Sequence, residues 1–234
     1  MTATLVAVFS VVGLAVGWLL DPLIARVPVR APVTNPPDDE PVTSVTSPST
    51  ARQVTIAIVC GVLFGALAAR FDDSWALPAY LVLATALVAL SVIDLDLYIL
   101  PNRIVYPLAL AMIVLLTLAA VGDDDLDAIG RGLLAGVVAF TIFFLLHMIS
   151  PRSMGFGDVK LAFVLGLSLG WLGWGEVLLG LFLGFFYGAI IGILLIATRV
   201  RARSQALPFG PFLAAGALTA VLVGDSIIDW YRGS

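Results

Sequence analysis

The sequence predicts an all-α, polytopic membrane protein with about eight transmembrane helices. Three observations lead there. Of 234 residues, 61% are hydrophobic and 12% charged, whereas soluble domains are about half apolar and about a quarter charged. The mean hydropathy is +1.09. Apolar runs of spanning length recur along the chain, and about 20 such residues cross a bilayer. The net charge of −4 provides no basic surface, so no nucleic-acid partner is expected.

The runs fall near residues 3–21, 53–70, 76–93, 104–121, 129–149, 159–174, 177–198 and 207–224. The first has no Lys or Arg ahead of it and no small-residue cleavage site, so it reads as a retained span. The second holds the single cysteine, Cys60. Alone it makes neither a disulfide nor a zinc site, and a packed small hydrophobe is its expected role. The third run closes on Asp94. The Leu100-Pro101 step then disfavours a continuous helix, because a residue before proline is pushed out of the helical region.

The fifth run carries the only histidine, His147, near its end. It has no Ser or Cys nucleophile beside it in the pattern, so a packed or interfacial ring is expected. The sixth run is the shortest and follows Gly155-Phe156-Gly157-Asp158. Gly155 and Gly157 are expected to let the chain turn tightly and approach another backbone before the span opens at Asp158. In the seventh, Gly180, Gly184, Gly188 and Gly192 repeat every four residues, the spacing of a close helix–helix contact face.

The largest connection, residues 22–52, is rich in proline and contains Asp38-Asp39-Glu40 and a Ser/Thr-rich end. It reads as an extended connector with a solvated acidic triplet. Residues 1–234 are therefore expected to form a single transmembrane domain.

Basic residues choose the orientation. Arg26, Arg30, Arg52, Arg103, Arg152, Lys160, Arg199, Arg201 and Arg203 flank the odd-numbered connections; Arg70, Arg131 and Arg232 lie on the other face. This bias predicts cytoplasmic odd-numbered connections and both termini outside. The Arg199 cluster reads as a topology signal and a contact for anionic lipid. Asp94 and Asp158 then share the cytoplasmic boundary.

An ionisable group at the edge of a span is costly unless something uses it. Asp94 would sit at a helix C-terminus and Asp158 at a helix N-terminus, where the helix dipole has opposite sign. Two nearby carboxylates in unlike surroundings share a proton, one acting as base and the other as acid. Such a pair activates water against a peptide carbonyl and protonates the leaving nitrogen. Asp96 hints at a metal-type Asp-x-Asp pair, but no further ligand cluster accompanies it, so a solvated loop carboxylate is expected. Lys160 is expected to face lipid headgroups or to tune the pair.

These residues resemble a known family. Gly155-Phe156-Gly157-Asp158 followed by Val-Lys-Leu resembles the signature of the type IV prepilin peptidases, the Gly-x-Gly-Asp intramembrane aspartyl proteases of bacteria. Asp94 with Leu100-Pro101-Asn102 is similar to their first motif. Leu207-Pro208-Phe209-Gly210-Pro211-Phe212 is similar to the segment that opens their last span, and Gly17 to Pro28, with Asp21 and Arg26, is a looser match to the N-terminal segment.

The resemblance implies an aspartic endopeptidase of the bacterial cytoplasmic membrane. Its partners would be membrane lipid and prepilin or pseudopilin substrates, whose short basic leader is cut at the cytoplasmic edge. It implies Asp94 and Asp158 as catalytic residues. Gly155, Phe156, Gly157, Lys160, Pro101 and Asn102 would bind substrate or shape the site. Neither metal nor other cofactor is implied for the cleavage. Longer members carry two Cys-x-x-Cys pairs in a cytoplasmic loop and methylate the new N-terminus. Residues 22–52 contain no cysteine, so S-adenosylmethionine is a cofactor only if methyl transfer is retained.

Two rivals stand beside this reading. One is a proton-coupled small-solute transporter, against which both carboxylates lie at one edge and none at mid-span. The other is a non-enzymatic partner of a pilus or secretion assembly.

Overall fold

A computed structural model of the chain describes residues 3–26, 49–72, 74–150, 154–198 and 207–233. The proline-rich stretch with Asp38-Asp39-Glu40, and also Arg30, Arg152, Arg199, Arg201 and Arg203, lie outside the described residues.

Eight helices follow in chain order: α1 (Ala3–Ile24), α2 (Thr50–Phe71), α3 (Leu77–Leu97), α4 (Asn102–Gly122), α5 (Leu126–Ile149), α6 (Phe156–Leu172), α7 (Trp174–Ala197) and α8 (Gly210–Arg232). No strand occurs among the described residues. Seven of the helices are long and apolar enough to cross a membrane; α6, at 17 residues, is the exception. It spans about 26 Å at 1.5 Å per residue, and its middle is almost wholly buried against its neighbours.

The helix ends follow local chemistry. Ser49 Oγ accepts from the Arg52 amide at 3.2 Å and starts α2. Asp125 does the same for α5 through Ala128, also at 3.2 Å. Helix α3 stops where Tyr98 turns left-handed (φ 57°), its N–H donating to the Asp94 carbonyl at 2.9 Å. Pro101, extended at φ −65° and ψ 127°, then opens α4. The break expected at Leu100-Pro101 is thus present.

Helix α8 runs to Arg232, past the apolar run that ends near Val223 and Gly224. Hydropathy reports contact with lipid, and the Asp225–Arg232 stretch stays helical beyond it.

Three helical pairs pack along their lengths: α1 with α2, α5 with α6, and α7 with α8. Small residues permit this. A methyl on Gly13 would lie 2.8 Å from Phe64 Cβ, and one on Gly166 would lie 2.7 Å from Ala139 Cβ. The glycine repeat of α7 is used in part. Gly180 and Gly184 meet α8 around Ala217 and Leu213, whereas Gly192 has nothing within 4 Å. The contact face therefore covers the half of α7 that α8 reaches. Cys60 is buried, as a packed hydrophobe should be.

Polar contacts pin the two ends of the bundle. At one end Arg70 pairs with Asp225, and Ser74 Oγ donates to Asp123 at 2.7 Å. Arg131 reaches the last carbonyls of α6, donating to Gly170 at 2.8 Å and Trp171 at 2.7 Å. These are orphan acceptors at a helix C-terminus, where a cation is favoured. Asp94, Asp158 and their neighbours occupy the opposite end.

Candidate active site

Asp94 and Asp158 line one cavity of about 220 Å³, together with Tyr98, Ile99, Leu100, Asn102, Gly155, Phe156, Gly157 and Lys160. Both carboxylates are buried, with relative exposures of 5% and 7%.

Each is held by a backbone amide. Gly210, the first residue of α8, donates to Asp94 Oδ2 at 3.0 Å. Gly155, preceding α6, donates to Asp158 Oδ2 at 3.1 Å. The Asp158 amide returns a 3.1 Å bond to the Gly155 carbonyl, so the start of α6 closes on itself. Both acceptors lie at helix N-termini, where N–H groups are unsatisfied and negative charge is favoured. The anchor of Asp94 comes from α8, 116 positions along the chain.

Small residues make room for this geometry. A methyl on Gly210 would lie 2.8 Å from Asp94 Oδ2 and 3.2 Å from Leu100. One on Gly157 would lie 2.9 Å from Leu100 Cβ. Leu100 therefore seats between the start of α6 and the start of α8. The turn at Gly155 and Gly157 is made without a positive φ at either residue, the Asp158 N–H bonding back to the Gly155 carbonyl. Gly155 is extended at φ −69°, and Gly157 lies inside the first turn of α6. The second glycine is needed for close approach to Leu100; a methyl on the first would make only ordinary contact, 3.4 Å from Asp158 Oδ2.

Lys160 is half-buried and has partners within the protein. Its Nζ donates to Asn102 Oδ1 at 2.7 Å and lies 4.8 Å from the Phe156 ring centre and 5.1 Å from that of Tyr106. Lys160 also lines the carboxylate cavity, where its positive charge faces the pair. Asn102 is thus part of the site. Pro101 is not among the lining residues; it precedes Asn102 as the N-cap of α4.

Asp96 also departs from expectation. It belongs to the last turn of α3 and is partly buried, pairing with Arg52 at 2.9 Å. Arg52 Nη2 also lies 2.7 Å from Asp21 Oδ1, and Asp21 is fully buried. The loose N-terminal match around Asp21 thereby gains a structural role. His147 packs as expected: Nδ1 lies 2.8 Å from the Met154 carbonyl, and the ring 5.6 Å from that of Phe156.

Among the described residues no group of three or more His, Cys, Asp and Glu is arranged to hold a metal ion. Two larger cavities, of about 580 and 290 Å³, are lined almost entirely by apolar side chains. A polar, charged cofactor such as S-adenosylmethionine needs convergent polar groups, so these cavities do not fit it.

The fold and the site define a polytopic helical membrane protein with two buried aspartates at one end of its bundle. Residues 81–193 match the model of the type IV leader peptidase family. Relatives named prepilin leader peptidase/N-methyltransferase match over most of the chain. The protein of Aeromonas hydrophila is 35% identical over 189 residues, covering 79% of this chain and 63% of the relative. That of Pseudomonas aeruginosa is 30% identical over 181 residues, covering 77% and 61%. That of Bacillus subtilis is 33% identical over 174 residues, covering 74% and 67%. The chain belongs to the type IV leader peptidase family. It spans less than two thirds of the length of the Aeromonas and Pseudomonas relatives. No solved structure matches it.

Proposed function

We propose that this chain is an intramembrane aspartyl endopeptidase. It removes the short basic leader from prepilins or pseudopilins at the cytoplasmic edge of the bacterial inner membrane. One observation carries the reading: two buried carboxylates, from the end of α3 and the start of α6, line one cavity at one end of a membrane bundle.

The mechanism uses the pair as a unit. A water between the carboxylates attacks the scissile carbonyl carbon while one carboxylate takes its proton. The other, protonated carboxyl group stabilises the developing oxyanion and then gives a proton to the leaving nitrogen as the C–N bond breaks. The products are a new carboxyl terminus on the leader and a new amine on the mature protein. Lys160 contributes positive charge on the cavity wall, and Asn102 holds it there. Gly155 and Gly210 hold one oxygen of each carboxylate, which preorganises the pair.

The odd-numbered connections face the cytoplasm, and both described ends of the bundle chain, α1 and α8, begin and finish outside; the positive-inside bias supports this. The transporter alternative has no support from the family comparison. The relatives' name includes N-methyltransferase; the two larger, apolar cavities do not fit its methyl donor, and no step is assigned to it.

Co-expression with a type IV prepilin tests the reading. Mass spectrometry is expected to find the pilin shortened by its leader, and an added methyl mass would report the second activity. A pilin of unchanged mass, with the protease present in the membrane, contradicts the proposal.

A further inference from the structure

We infer that Arg52 is a positioning residue for Asp94, acting through Asp96. The inference rests on the proposed protease reading for its kinetic consequence, though its structural part stands apart from that reading. Arg52 lies in the first turn of α2 and spans two carboxylates. Its Nη2 is 2.7 Å from Asp21 Oδ1 near the end of α1, and its Nη1 donates to Asp96 Oδ2 at 2.9 Å. Asp21 has no exposed surface, and the Arg52 and Asp96 side chains are 19% and 24% exposed.

The base of this clamp is itself held. Ser49 Oγ accepts from the Arg52 amide at 3.2 Å, and Gln53 Nε2 donates to the Trp18 carbonyl at 2.9 Å. The α1–α2 hairpin therefore presents the guanidinium from a fixed place. Its planar fork serves two carboxylates at once, which a lysine ammonium on a flexible stem does poorly.

The target is the last turn of α3. Residues two apart on a helix point about 200° from each other. Asp94 turns toward α8, where the Gly210 amide holds it, and Asp96 turns toward the hairpin, where Arg52 holds it. The turn is gripped from opposite sides. Helix ends fray when their final groups lack partners, and this end carries a carboxylate of the cavity. Arg52 and Gly210 together set the rotation and height of that turn relative to α6.

The test uses the full chain in detergent–phospholipid micelles, with a type IV prepilin as substrate. Four variants are compared with the wild type: Arg52→Gln, Arg52→Lys, Asp96→Ala and Asp96→Asn. Arg52→Gln and Asp96→Ala are expected to lower kcat about tenfold or more with KM changed less than about twofold. Arg52→Lys should fall between glutamine and arginine. Asp96→Asn, which keeps an acceptor for Arg52, should retain most of the activity. Asp96→Ala leaves the Arg52–Asp21 pair intact, so it covers the case in which Arg52→Gln fails to fold. Amide hydrogen exchange is read in parallel, and residues 95–98 should exchange faster in Asp96→Ala than in the wild type. Unchanged kcat in folded Arg52→Gln and Asp96→Ala overturns the inference. So does a rise in KM alone, or unchanged exchange at residues 95–98. If wild type and Asp158→Asn treat the prepilin alike, the protease reading fails, and the exchange measurement still decides the clamp.

Discussion

The amide of Gly210 donates a 3.0 Å hydrogen bond to Oδ2 of Asp94, joining the first residue of α8 to the last turn of α3. A helix that is remote in sequence thereby holds one member of the carboxylate pair. It also explains a glycine between two prolines, since a side chain at position 210 would meet both Asp94 and Leu100.

Gly210→Ala should therefore displace Asp94 without removing it. A hydrogen bond to a charged group contributes about 1.5–3 kcal/mol, so a loss of about 10- to 100-fold in kcat is expected. Steady-state kinetics on a prepilin checks this. Activity equal to wild type would mean that α8 does not position the site.

The two glycines before and within α6 should respond differently to alanine. Gly157→Ala drives a methyl into Leu100 Cβ, close to the backbone, where neither side yields easily. Gly155→Ala adds a methyl in ordinary contact and keeps the amide that holds Asp158. Gly157→Ala should reduce leader removal strongly and Gly155→Ala only slightly. Side-by-side processing assays in membranes separate the two, and the reverse order would contradict the packing described.

Arg131 has a structural assignment at the far end of the bundle. Its side chain donates to the Gly170 and Trp171 carbonyls at the end of α6. Arg131→Met keeps the stem and removes the donors. Thermal unfolding in detergent should show a loss of about 1–3 kcal/mol, with KM and kcat at permissive temperature little changed. A catalytic defect without a stability defect would contradict this assignment.

The fold was legible because its signal is one-dimensional. Each apolar run near spanning length corresponds to a helix, and Leu100-Pro101 marks a real break. Asp94 and Asp158 were legible because a carboxylate beside an apolar run is costly and calls for a reason. Other features depend on contacts that leave little trace in order. Arg52 reads as one more basic residue at the cytoplasmic boundary, yet it bridges Asp21 and Asp96, the latter 44 positions away. Lys160 reads the same way, and only the fold shows Asn102 and two aromatic rings around it. The anchor of Asp94 is a backbone N–H, which every residue but proline has; its single trace is the missing side chain of Gly210.

The central claim is that Asp94 and Asp158 act as one hydrolytic unit. Co-expression with a type IV prepilin, followed by intact-mass measurement of the pilin, tests it most directly. The wild type, Asp94→Asn, Asp158→Asn and the double variant are compared at matched membrane levels. Each single change should reduce processing by at least about 100-fold, and the double variant should be little worse than either, as for groups that act together. Leader removal that persists in either single variant at near wild-type rate would contradict the account.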